Sequence, residues 1–135
     1  MNIELSDKEF RRLLDLVYVG NWVLNSTRGS DRFEDYDDLQ EKMFALCAKN
    51  GMKELYTTWY GLTFPSRAYE EGGIHEAIAD YEDAVFFDIL AEELARRDMH
   101  LEDTDPEDMT ELTHRMDEYI SEFEANGIDN LTIDI

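Results

Sequence analysis

Leu13-Leu14-Asp15-Leu16-Val17-Tyr18-Val19-Gly20-Asn21-Trp22-Val23-Leu24 is the stretch whose reading decides the fold. Apolar side chains occupy most of its helical circumference, the pattern of a helix surrounded by others. Asp15 and Asn21 interrupt it, and it falls well short of the roughly 20 apolar residues a bilayer span needs. Upstream, Ser6 and Glu9 have the spacing of a capping box, in which each side chain satisfies a free backbone N–H. A helix is therefore predicted over residues 7–26, central to its domain. Gly20 costs about 1 kcal/mol of helix propensity relative to Ala, which close approach of a neighbouring helix would offset.

Three more amphipathic helices follow. Asp31 is placed to cap a second helix, in which Tyr36, Leu39, Met43, Leu46 and Cys47 keep helical spacing until Asn50-Gly51 supplies a left-handed stop. Residues 52–73 mix strand formers with Gly61, Pro65 and Gly72-Gly73, and read as mostly loop with room for a short strand or helical turn. A third helix is predicted over residues 74–98, with Ile74, Ile78, Tyr81, Val85 and Ile89 as its stripe and Phe86, Leu90 and Leu94 widening it. Thr104 and Glu107 repeat the capping-box spacing around Pro106, so a fourth helix starts there; Gly127 closes it, with Ile128 placed for the usual hydrophobic contact. Residues 2–5 and 131–135 alternate apolar with polar and are candidates to pair as short strands. The fold class is mainly α, an antiparallel four-helix bundle-like single domain over residues 1–135.

The 135 residues include 33 Asp and Glu against 12 Lys and Arg, a net charge of -21. Such a chain has no footprint for phosphate backbones and is repelled by anionic membranes, so direct nucleic-acid binding and membrane binding are not expected. At 43% hydrophobic residues it nevertheless has material for a core. The charge is uneven: residues 1–69 hold 9 basic and 11 acidic side chains, whereas residues 70–135 hold 3 basic and 22 acidic. A single cysteine, Cys47, permits no intrachain disulfide, and the first ten residues lack the basic start and apolar stretch of a secretory signal; a cytoplasmic location is expected.

No catalytic constellation stands out. His75-Glu76 opens like His-Glu-x-x-His but Ala79 replaces the second imidazole. His100 and His114 lack paired spacing. Residues 103–108 have Asp at the first, third and sixth positions and Glu at the fifth, yet calcium loops need Gly at the sixth and a bidentate Glu at the twelfth, where His114 stands. The acids of residues 34–38 read as a helix first turn opposing the dipole. Cys47 lies on an apolar stripe, and no nucleophile elbow or phosphate loop occurs. No metal or cofactor is expected.

Three groups remain as candidate surfaces. Asp15, Tyr18, Trp22 and Asn25 recur at three- and four-residue steps and share one helix face, able to line a small polar pocket. Tyr56, Trp59, Tyr60, Phe64 and Tyr69, with Arg67 among them, concentrate aromatics as interface hot spots do. Glu107, Glu111, Glu118 and Glu122 lie opposite the apolar stripe of the fourth helix.

Tyr81–Leu90, Leu94–Met99 and Leu14–Trp22 resemble segments of small, acidic bacterial proteins of similar length. That resemblance implies a bacterial cytoplasmic protein and transfers no activity, cofactor or catalytic residue. Asp83, Asp88, Arg97 and Asp98 read as helix-to-helix salt links. The leading functional expectation is a non-enzymatic interaction module whose acidic half or aromatic segment binds a basic protein. Behind it stand a carboxylate-dependent or metal-assisted hydrolase using His75 or His114, a DNA-mimicking regulator, and charge that serves solubility alone.

Overall fold

In the computed structural model, which describes residues 1–135, the first capping box forms as its spacing implies. Ser6 Oγ accepts from the Glu9 N–H at 3.1 Å and Glu9 Oε1 from the Ser6 N–H at 3.0 Å, opening α1 (Asp7–Asn25). The chain is mainly helical, continuing with α2 (Glu34–Lys49), a hairpin of β1 (Tyr56–Trp59) and β2 (Leu62–Pro65), α3 (His75–Leu101) and α4 (Met109–Asn126). It divides into two compact units, residues 1–78 and 79–135. No helix is long and apolar enough to cross a membrane.

α1 is not sheathed by neighbours as its composition suggests. It buries one stripe, Phe10, Leu14, Tyr18, Asn21 and Asn25, at steps of three and four, while Leu16 and Val23 stay 71% and 67% exposed. Within its unit this stripe packs with α2, the segments on both sides of the hairpin and the first turn of α3, in a core of Phe10, Leu14, Tyr18, Phe44, Cys47, Tyr69 and Ile78. Nothing lies within 4 Å of where a Gly20 Cβ would be, so no close helix approach explains that glycine.

Asp31 does not cap α2. It accepts from the Gly29 N–H (3.0 Å) and from Arg28 (3.1 Å), folding the turn before the helix. The junction is made from α1 instead: Asn25 Nδ2 donates to the Phe33 carbonyl (3.1 Å) and its Oδ1 accepts the Phe33 N–H (2.8 Å). Phe44 and Cys47 are buried on α2, whereas Tyr36 and Leu39, nearer its start, are exposed. Gly51, at φ 69°, supplies the left-handed stop.

Residues 52–73 are structured, against the loop expectation. A 3₁₀ turn (Lys53–Leu55) leads into the hairpin, paired from Tyr56↔Pro65 to Trp59↔Leu62. Tyr60 and Gly61 both have positive φ, 49° and 76°, the two-residue primed turn whose twist matches its strands. Gly61 is thus the turn itself, and Pro65 ends β2, an edge of the two-stranded sheet, where a missing N–H costs little. Two strands alone are marginal; Glu41 of α2 steadies β2 by accepting the Thr63 N–H at 3.0 Å. Ser66 then caps one helical turn (Arg67–Tyr69), and a π-helical segment (Glu70–Ile74), with Gly73 at φ 112°, delivers the chain into α3.

In residues 79–135 the buried line of α3 is Ala91, Ala95 and Met99, while Tyr81, Phe86 and Ile89 of the expected stripe are exposed. α3 carries apolar residues on more than one face, so periodicity alone selects the wrong one. Ala95 and Met99 pack with Leu112 of α4, and the Phe87 and Phe123 rings lie 5.4 Å apart. The expected start of α4 also shifts. Asp108, accepting from the Glu111 N–H at 3.1 Å, is its cap, and the Glu107 N–H goes to Asp105, leaving Thr104, Pro106 and Glu107 in the connecting turn. Gly127 ends α4, but Ile128 is exposed and does not make the expected contact. Residues 2–5 and 131–135 form no strand; the sheet holds β1 and β2 only.

Two substitutions check this packing. Gly20→Ala adds a methyl into open space on a regular helix and should stabilise the fold by about 1 kcal/mol, read from urea unfolding. Asn25→Ala strands its partners at the α1–α2 junction and should cost about 2 kcal/mol in the same measurement.

Candidate functional site

The helix face expected to line a pocket divides its labour. Asp15 accepts from Arg11 (2.6 Å) and from the Tyr69 hydroxyl (2.8 Å), anchoring a core tyrosine. Burial first, and the neighbouring carboxylate second, push the Tyr69 hydroxyl far above its usual range. Tyr18 OH lies 2.7 Å from His75 Nε2, and the Trp22 ring meets the His75 ring edge-on at 4.8 Å. Burial, helped by nearby Glu70, pushes the Tyr18 hydroxyl up to about 12. Asn25 is buried and donates to Asn21 Oδ1 at 2.6 Å.

Asn21 is the residue sequence reasoning passed over as a mere interruption. Its Nδ2 donates to Asp37 Oδ1 (3.0 Å) and Gln40 Oε1 (3.2 Å), tying α1 to α2 along the floor of a cleft of about 610 Å³. Tyr18, Trp22, Phe64 and Glu41 also line this cleft, between α1, α2 and β2. Arg32 grips Asp37 with two hydrogen bonds, 2.8 and 2.9 Å. That grip foremost, with help from Asn21 and against the cost of burial, holds the Asp37 carboxyl below its ordinary value. The available signal was the four-residue step from Asn21 to Asn25, two amides on one face of an apolar helix.

The aromatic group does not form one surface. Tyr69 is core, and Tyr56 is half-buried against it. Phe64 faces the cleft, while Trp59 and Tyr60, 68% and 85% exposed, meet edge-on at 4.6 Å at the hairpin tip. Arg67 is exposed and pairs with Glu71 at 2.7 Å.

The second candidate region is the groove of about 540 Å³ beside α3 and α4 in residues 79–135. Glu111, Glu118 and Glu122 line it together with Asp98, His114 and Arg115; Glu107 does not. Glu111 pairs with Arg115 (2.7 Å), Glu118 with His114 (3.3 Å), and Glu122 accepts from Asn126 and Asn130. Arg115 also pairs with Glu102. Of the expected salt links, Arg97 bonds Asp98 on its own helix and also donates to the Tyr119 hydroxyl of α4 at 3.3 Å, and that hydroxyl in turn donates to Asp98; Asp83 and Asp88 have no ion-pair partner. Burial of Asp98 opposes its charge, but the bonds from Tyr119 and Arg97 outweigh it and hold the carboxyl below its ordinary value. Burial and the adjoining Asp98 raise the Tyr119 hydroxyl.

No three His, Cys, Asp or Glu side chains stand close enough to hold a metal ion together. No protein-family model matches the chain, and neither a curated protein nor a solved structure is significantly similar to it.

Because Asp98 has a lowered folded-state value, its stabilisation is present above the ordinary carboxylate range and is lost as pH falls through that lower value. Asp98→Asn should therefore cost about 1 kcal/mol at pH 7. The gap in melting temperature from the wild type should close as pH falls below about 4.

Proposed function

We propose that this is a non-enzymatic interaction protein, bacterial and cytoplasmic, whose acidic residues 79–135 bind a basic protein. One observation carries it. That unit holds 19 acidic side chains and 3 arginines, and all three arginines are already paired inside it: Arg96 with Glu92, Arg97 with Asp98, and Arg115 with Glu111 and Glu102. The remaining carboxylates have no arginine or lysine of their own unit to turn to. A concentrated single-sign surface costs stability by self-repulsion and raises the rate at which an oppositely charged partner is captured.

The same proposal takes the fold class as mainly α and bundle-like. Likeness to the small acidic bacterial proteins noted above supports the assignment to a cytoplasm, as does the lone buried thiol of Cys47. In its sharper form the acidic surface imitates the phosphate array of DNA for a nucleic-acid-binding partner. A carboxylate-dependent hydrolase is the competing reading, favoured by the pairing of Glu118 with His114 in a groove that Asp98 and Glu111 also line.

Capture from cell extract decides the matter. Wild-type protein should retain a basic partner at low salt and release it in about 0.5 M salt, and a Glu107→Lys, Glu118→Lys, Glu122→Lys variant should retain none. Equal recovery by both proteins, or repeated recovery of nothing by the wild type, defeats the proposal.

A further inference from the structure

We infer that the cleft between α1, α2 and β2 is a binding site for an organic cation, a guanidinium or alkylammonium group. The site lies wholly in residues 1–78 and goes beyond the acidic-surface proposal, whose success or failure does not touch it.

Its apolar lining is aromatic. Tyr18, Trp22 and Phe64 line about 610 Å³, and Trp22 and Phe64 remain 36% and 40% exposed there. Its charged groups are Arg32, Asp37 and Glu41. Arg32 is committed: its Nε and one terminal nitrogen bond Asp37 at 2.9 and 2.8 Å, and the other terminal nitrogen bonds the Asn25 carbonyl at 3.2 Å. An anion entering the cleft would have to break that pair and would then meet the released carboxylate. Asp37 is equally committed, to Arg32 and Asn21.

What is left over is Glu41. One of its oxygens accepts the Thr63 N–H at 3.0 Å, and Oε2 has no hydrogen-bond partner in the chain. With the Arg32–Asp37 pair neutral, the cleft carries one uncompensated negative charge and one free carboxylate oxygen, on a residue that lines it together with an indole and a phenyl ring. Aromatic faces attract cations within about 6 Å of the ring centre, most strongly indole, and a carboxylate accepts charge-assisted hydrogen bonds from guanidinium or ammonium. Those two requirements select an organic cation with an apolar stem over an anion or a bare metal ion.

The test follows Trp22 fluorescence in a Trp59→Phe background, so that only the cleft indole reports. Titration with N-acetyl-arginine amide should give a saturable change with half-saturation near a millimolar, about −4 kcal/mol. The isosteric but uncharged N-acetyl-citrulline amide should bind at least about tenfold more weakly. Glu41→Gln keeps a carbonyl for the Thr63 N–H, so its melting temperature should hold while arginine binding falls by a similar factor. Phe64→Leu should weaken binding with Glu41 intact. Butylguanidine as tight as the blocked arginine assigns the site to a small free cation; preference for the blocked arginine assigns it to a side chain of a bound peptide. Equal binding of the citrulline compound, unchanged binding in Glu41→Gln, or no saturable change with any cation overturns the proposal.

Discussion

A pair of buried amides holds the first unit in register. Asn21 and Asn25 sit on the face of α1 that meets α2, where an all-apolar stripe would permit sliding. Their hydrogen bonds to Asp37, Gln40 and the Phe33 backbone admit one alignment. Buried polar groups that are fully satisfied specify a unique packing, while half-satisfied ones would be worse than none; no buried side-chain polar atom here lacks a partner. Everything on the cleft side follows from that alignment. Asp37 is presented to Arg32, Glu41 reaches the backbone of β2, and Trp22 lines the cleft that Phe64 also lines.

The second unit solves a different problem. Its buried side chains are few, and two of them, Ala91 and Ala95, are small. Its polar cross-link, Tyr119 to Asp98, is backed by Arg97. Its three cations are spent on internal pairing, two of them within a single helical turn. Exposed pairs of that kind contribute little each, so cohesion rests on the Ala91–Met99 line and the Phe87–Phe123 contact against a surplus of like charge.

The legible parts of the sequence were those governed by local chemistry. Ser6 and Glu9 announce their capping box because both partners lie within one turn, and Gly51 and Gly127 stop helices through their own backbone freedom. Choices settled by tertiary packing were not legible. Tyr81, Val85 and Ile89 have a four-residue period as good as that of Ala91, Ala95 and Met99, and only the neighbour across from α3 decides between them. The hairpin hid behind its own turn, since Tyr60 takes a left-handed conformation that glycine or asparagine would have signalled. For the site, Tyr18 and Trp22 were found by helical spacing, whereas Glu41, Asp37 and Gln40 come from another helix and could be joined to them only by the fold.

The uneven distribution of cations also has a meaning in covalent chemistry. The lysines are Lys8, Lys42, Lys49 and Lys53, all in the first unit, and residues 54–135 contain none. Acylating reagents and lysine-modifying enzymes therefore find no side-chain amine on the acidic unit. Tethering the protein through its amines would fix it by the first unit and leave every carboxylate of the second chemically untouched.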